Sequence, residues 1–178
     1  MDISNGLFSL PSSNSLQIWK CPRYCDERGY LISTYQEYTN YPVKFIEHRV
    51  SVSHKYVLRG LHTDFTTSKL ITLLFGKIRF VAVNLDQSAI DYRIPYIIKI
   101  DSKDEKQIFV PPTYANGHLC LSDDCVLDYK WDEYYNLDKQ ITVKWDDPTL
   151  GIDWGIENPI LSDRDKSGQS LLKIKRNV

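Results

Sequence analysis

Three short stretches carry the residues able to do chemistry. Val57-Leu58-Arg59-Gly60-Leu61-His62, with Lys69 seven residues after His62, sets an imidazole between two cations on a β-like segment. Pro111-Pro112-Thr113-Tyr114-Ala115-Asn116-Gly117-His118 follows about fifty residues later, and Pro159-Ile160-Leu161-Ser162-Asp163-Arg164-Asp165 adds carboxylates near the C-terminus. An imidazole titrates near neutral pH and can accept a proton from carbon. Guanidinium and ammonium groups bind anions and stabilise charge that develops during a reaction. Together the stretches point to an anionic, sugar-like substrate and to proton transfer without a metal.

Strands must position these groups. Val43–Val52, Lys69–Phe75, Lys77–Leu85, Tyr92–Ile100, Gln107–Val110, His118–Leu121, Val126–Trp131 and Gln140–Trp145 are rich in Ile, Val, Phe and Tyr. Turn residues separate many of them, as in Phe75-Gly76-Lys77 and Leu121-Ser122-Asp123-Asp124. Many short strands at such spacing predict an all-β sandwich or barrel. In Lys77–Leu85, Ile78, Phe80, Ala82 and Asn84 share one face and Lys77, Arg79, Val81, Val83 and Leu85 the other, which suits a barrel wall with a lined interior and a packed exterior. The proline pair Pro111-Pro112 ends one strand and sets the approach to the next. The first twenty residues read as a leading strand and loop, and the basic tail Leu171–Val178 as a short surface segment. A short helix is expected to start at Ser162, with its hydroxyl as the cap and Asp163 and Asp165 in the first turn.

Composition narrows the class. A chain of 178 residues with 42% hydrophobic residues suffices for one domain, residues 1–178, with its own core. A net charge of −1 with scattered Lys and Arg speaks against nucleic acid as a partner. No apolar run is long enough to span a bilayer, and the start lacks a signal-peptide pattern, so a cytoplasmic protein with no membrane partner is expected. Cys21 and Cys25, and Cys120 and Cys125, have spacings that mimic half of a zinc site, but neither pair has a His at the usual spacing; four reduced thiols are the simpler expectation.

Beyond these features the chain resembles the dTDP-4-dehydrorhamnose 3,5-epimerases and related cupin-type epimerases of nucleotide-linked 4-keto sugars. The matching pieces are Asp26-Glu27-Arg28-Gly29, Val57–His62, Lys69-Leu70, Gly76-Lys77, Val81-Ala82-Val83, Pro111-Pro112, Tyr134-Tyr135, Trp145-Asp146-Asp147-Pro148 with Leu150–Trp154, and Pro159-Ile160-Leu161-Ser162 ending in Asp165. Any one is weak; their collinear order is specific. The resemblance implies a jelly-roll cupin barrel with short flanking helices, a homodimer, no cofactor and no metal. It also implies inversion at C3, C5 or both, next to the C4 ketone of a nucleotide-diphospho-4-keto-6-deoxy sugar.

Site roles follow from the same resemblance. His62 matches the base, Asp165 the carboxylate that orients it, and Lys69 the cation beside the C4 oxygen. Tyr135 is the preferred match to the acid, with the adjacent Tyr134 competing. Arg59 and Arg28 match arginines holding the diphosphate or adjacent sugar, and Glu27 or Arg28 is expected to reach a neighbouring subunit's site. Gln107, Asn116, His118 and Arg49 are further candidate substrate contacts. Each residue also has a plainer reading: a core histidine, a helix-start aspartate, an exposed strand lysine, a packed aromatic, a surface ion pair.

Departures from the family pattern gather around the expected pocket. A Gln-Asp-Asn-x-Ser-x-Ser run reads Glu47-His48-Arg49-Val50-Ser51-Val52-Ser53 here, and Ala-His-Gly-Phe reads Ala115-Asn116-Gly117-His118. The nucleotide is therefore left open among dTDP, GDP and CDP, with a resemblance to a branch acting on GDP-linked 4-keto heptoses in capsule synthesis. A metal cupin would need a His-x-His pair followed by Glu, yet His62 is followed by Thr63-Asp64 and the next Glu after it is Glu105. A nucleotide-sugar ketoisomerase and a non-catalytic nucleotide-sugar binding protein stand as alternatives.

Overall fold

Runs of β-branched and aromatic residues broken by Gly, Asp and Pro turns leave little for helices to form from. The computed structural model describes residues 14–37 and 41–174. Among them are β1 (Gln17–Lys20), β2 (Arg23–Asp26), β3 (Gly29–Ile32), β4 (Glu47–His54), β5 (Leu58–Thr63), β6 (Lys69–Phe75), β7 (Lys77–Asn84), β8 (Pro95–Asp101), β9 (Lys106–Val110), β10 (Tyr114–Cys120), β11 (Asp124–Trp131), β12 (Ile141–Thr142) and a single-turn helix, α1 (Asp163–Lys166). Two five-stranded antiparallel sheets form, in the orders β1-β9-β6-β11-β4 and β12-β5-β10-β7-β8, while β2 and β3 pair as a separate hairpin. This is the expected all-β jelly-roll cupin barrel.

One apolar core joins the inner faces of the two sheets: Ile71, Leu73, Ile108 and Leu127 meet Ile78, Phe80, Ala82 and Ile100. The outer face of the β5-β10-β7 wall is also covered. Val81 and Val83 pack there with Val143, Leu150, Trp154 and Leu171 from the C-terminal segment. Residues on both faces of β7 are thus buried, as its two apolar rows require. On the other sheet, Trp19, Phe45, Leu70 and Phe109 make a smaller outer cluster.

Several boundaries differ from the sequence reading. The strand expected from Val43 begins at Glu47, the one expected from Tyr92 begins at Pro95 after a turn in which Arg93 takes φ 62°, and Gln140–Trp145 shortens to β12. β10 is longer than the expected His118–Leu121 because Ala115-Asn116-Gly117 continues the ladder to β7. Leu171 is not part of a surface tail: it is 2% exposed and closes the outer core. Residues 1–13 of the leading segment and 175–178 of the tail lie outside the described residues.

β5 and β10 approach each other unusually closely. Asn116 pairs with His62 and His118 with Arg59, so a bulge lies between them. Gly60 takes φ +121°, and a Cβ there would stand 2.6 Å from Gly117 Cα. Neither position admits a side chain without moving the wall that carries His62. Gly60→Ala should therefore cost roughly 2 kcal/mol or more, read as a lower urea midpoint. Gly151→Ala, where an added Cβ meets nothing within 4 Å at φ +58°, should cost only about 1 kcal/mol.

Candidate active site

Along the inner faces the lining changes from hydrocarbon to polar groups. On β6, Leu73 and Ile71 lie in the core and Lys69 opens into a cavity; on β11, Leu127 lies in the core and Tyr129 opens into the same space. The cavity is about 310 Å³. Its walls carry four cationic side chains, Arg49, Arg59, Lys69 and Arg164, against the single carboxylate of Asp165. Such a lining favours an anionic ligand.

His62 and Asp165 are 103 residues apart in the chain, yet His62 Nε2 lies 2.6 Å from Asp165 Oδ1. The backbone arranges this. A parallel bridge between Val57 and Ile160 ties the C-terminal segment to the start of β5, and a second joins Val143 to Gln169. Ser162 then caps α1, its Oγ accepting from the Asp165 N–H at 3.2 Å and lying 2.6 Å from Asp165 Oδ2. The Gly60 N–H donates to Asp165 Oδ1 at 3.1 Å. Burial opposes ionisation of Asp165, but the hydrogen bonds from His62, Ser162 and Gly60 outweigh it and hold the carboxyl below its usual range. Burial lowers the affinity of His62 for a second proton, against the opposing pull of Asp165. A neutral imidazole donating from Nε2 to a carboxylate keeps Nδ1 as its basic nitrogen.

Lys69 is 7% exposed. Its Nζ donates to Asn116 Oδ1 at 2.9 Å and to the His62 carbonyl at 3.4 Å. Burial pulls its pKa down to about 8, Asp64 opposing and Arg164 adding to the shift. Asn116 thereby fixes the ammonium through its oxygen and retains an amide donor of its own.

Of the two expected tyrosines only the preferred one, Tyr135, reaches the cavity, and a third tyrosine joins it. Tyr134 is 73% exposed and does not line the cavity. Tyr135 does line it, but its ring packs against Trp131 at 5.5 Å and under the Arg49 guanidinium at 4.5 Å. The phenol on the inner barrel face is that of Tyr129, with its Oη 3.2 Å from His118 Nδ1. Strand parity could have found it. Tyr129 shares the face of Leu127, whereas β11 ends at Trp131, before Tyr134 and Tyr135.

Other expected residues divide. Arg59 lines the cavity and donates to Ser53 Oγ at 2.9 Å and to the Val52 carbonyl at 3.1 Å. Arg49, Asn116 and His118 line it as well, so the departures at these positions do meet in one pocket. Gln107 does not. It pairs with Thr72 on the outer face of its sheet, donating to Thr72 Oγ1 at 2.8 Å and to the Thr34 carbonyl at 2.7 Å. The inner face at that level belongs to Ile71 and Ile108. Glu27 and Arg28 sit at the tip of the β2–β3 hairpin, where Arg28 is 85% exposed in its side chain and pairs with Asp26 at 2.5 Å. Arg164 was missed by sequence reasoning; it lines the cavity one residue before Asp165, with Nε donating to Thr142 Oγ1 at 2.9 Å.

Residues 14–173 match the family model described as dTDP-4-dehydrorhamnose 3,5-epimerase. The chain belongs to that family. An epimerase of this name from Methanothermobacter thermautotrophicus is 34% identical over 157 residues, 83% of this chain and 85% of that protein. Among solved structures, the epimerase from Legionella pneumophila in complex with dTDP-4-keto-L-rhamnose has a TM-score of 0.83 at 27% identity, covering 96% of this chain and 93% of that one. The Bacillus anthracis enzyme, with TDP and PPi bound, has a TM-score of 0.84 at 27% identity, covering 90% and 96%. As a member of this family the protein is a nucleotide-sugar epimerase, an enzyme of the isomerase class. Among the described residues no helix is long and apolar enough to cross a membrane.

In this epimerase the buried Lys69 should leave a signature in stability. Its proton is held less tightly in the folded than in the unfolded chain. Between about pH 8 and the ordinary lysine value the unfolded state carries more protons, so this group makes stability rise with pH; below pH 8 its full penalty, roughly 3 kcal/mol, is present. Lys69→Met should therefore be more favourable relative to wild type at pH 7 than at pH 10, the difference shrinking by roughly 2–3 kcal/mol in urea denaturation. A pH-independent difference would overturn the buried-charge account.

Proposed function

We propose that this enzyme inverts C3, C5 or both in a nucleotide-diphospho-4-keto-6-deoxy sugar. The observation that carries the reading is that the His62–Asp165 pair on one sheet and the Tyr129 phenol on the other open into one cavity beside the Lys69 ammonium. His62 Nδ1 removes the proton next to the C4 ketone. The electrons of that C–H bond pass into the enolate, whose oxygen is stabilised by Lys69 and the free amide donor of Asn116. Tyr129 returns a proton to carbon from the other wall and is left as a phenolate; the imidazolium then loses its proton to water and the phenolate takes one up, which restores the resting enzyme. Asp165 holds the imidazole and stabilises its charged form. Tyr129 replaces Tyr135 as the acid in this reading, and Tyr135 with Trp131 and Arg49 offers a flat platform for the nucleobase.

Arg59, Arg49 and Arg164 are suited to the diphosphate, because a guanidinium can give two parallel hydrogen bonds to phosphate. A homodimer completes the reading. The β2–β3 hairpin exposes Tyr24, Tyr30 and Leu31 at 65%, 51% and 71%, which supports its insertion against a second copy with Glu27 and Arg28 at that copy's site. Relatives named for dTDP sugars make thymidine the first nucleotide to try. Arg49, Asn116 and His118 give reason to include GDP and CDP, with hexose and heptose sugars.

Deuterium uptake from heavy water into a panel of such 4-keto sugars, read by NMR, tests the proposal. Exchange at C3 and C5 would establish a 3,5-epimerase, and exchange at C3 alone a 3-epimerase. His62→Ala should lower exchange by about 10²–10⁴-fold. Tyr129→Phe should keep exchange and lose inversion, whereas Tyr135→Phe should keep both and weaken binding. Tight binding with no exchange on any member would favour the binding-protein alternative.

A further inference from the structure

His118 has no part in the steps above, yet it is 1% exposed and lies on the cavity wall opposite β11. Its Nδ1 is 3.2 Å from Tyr129 Oη, and its Nε2 is buried without a hydrogen-bond partner. Burial first, and then the charges of Arg59 and His62 against that of Asp165, pull its pKa down to about 3. The ring is therefore neutral at working pH and carries one N–H. If that proton sat on Nε2, a buried donor would be left unpaired, which native structures rarely tolerate. If it sits on Nδ1, the donor is satisfied by the phenol oxygen and only an acceptor lone pair goes without a partner.

We propose that His118 is a positioning residue for Tyr129: its Nδ1–H donates to the phenol oxygen and thereby turns the phenol proton toward the cavity. The opposite polarity would spend the phenol proton on His118 and withhold it from substrate. The inference rests on the epimerase reading with Tyr129 as the acid. As the Tyr129 O–H bond breaks and a C–H bond forms on the sugar, the same Nδ1–H holds the phenolate left behind; no proton leaves His118. Burial makes the Tyr129 phenol hold its proton more tightly than a free tyrosine, and the Ser51 hydroxyl opposes that only in part. The arrangement depends on the regular alternation of β10, which puts His118 on the same inner face as Asn116, opposite Phe80 and Ala82 of β7.

Imidazole nitrogen NMR on the full chain with labelled histidine reads the tautomer without substrate. One ring should carry its proton on Nδ1 and stay neutral from pH 8 to pH 5, and its signals should vanish in His118→Phe and shift in Tyr129→Phe. A proton on Nε2 would overturn the proposal. If His118→Phe fails to fold, the shift in Tyr129→Phe alone makes the assignment. With whichever dTDP- or GDP-linked 4-keto-6-deoxy sugar exchanges, His118→Phe should raise the ratio of exchange to inversion about tenfold or more. His118→Asn, whose amide can stand where Nδ1 stood, should restore most of it, and His118→Phe should add nothing in a Tyr129→Phe background. Equal loss of exchange and inversion would mean mere structural damage and sink the proposal while leaving the epimerase reading intact. No exchange by wild type on any sugar would overturn both.

Discussion

A buried carboxylate with every oxygen engaged organises this protein. Asp165 is 3% exposed, and an uncompensated charge at that depth would be costly. It is compensated from three directions: the His62 imidazole, the Ser162 hydroxyl and the Gly60 N–H. Each partner imposes a condition on the fold. The imidazole must face inward from β5, the serine must cap α1, and residue 60 must lie where its backbone can be reached. The parallel bridges Val57–Ile160 and Val143–Gln169 meet these conditions by docking the C-terminal segment on the barrel. The orientation of His62 and the closing of the outer core are thus one packing event, since Leu150, Trp154 and Leu171 belong to the same segment.

The second organising fact is the division of the barrel interior. Leu127 and Ile71 fill one half with hydrocarbon, and the same strands carry Tyr129 and Lys69 into the other half. The plug makes the polar half a rigid cup rather than a channel. It also supplies the poorly solvated surroundings in which the Lys69 ammonium is destabilised. Stability is given up at Lys69 and recovered in the close-packed plug beneath it.

Much of this was legible from residue patterns. The period of two in Lys77–Leu85 announced a barrel wall with a packed exterior, and the outer row of β7 is indeed covered, by the C-terminal segment. Collinear pieces spread along the chain pointed to the family, and Ser162 with Asp165 announced the cap. What failed did so for local reasons. The strand expected from His118 starts earlier, at Tyr114, because neighbouring strands on both sides hold Asn116-Gly117 in the ladder. Gln107 reads as a sugar contact, but its parity places it outside, where Thr72 and the Thr34 carbonyl take its amide.

Sequence by itself determined the fold class, the family and the residue types of the site, because alternation and motif order are properties of the chain read along its length. Only the tertiary structure decided which groups share the cavity. Tyr134 and Tyr135 look like a tyrosine site in a linear reading, yet Tyr129 opens into the barrel because the strand runs straight to Trp131 and then ends. Arg164 enters the site because a capped turn aims it inward, and Arg59 shares the site with His62, three residues on, because a bulge in β5 puts both on one face. Those directions depend on pairing partners tens of residues away, and no local pattern records them.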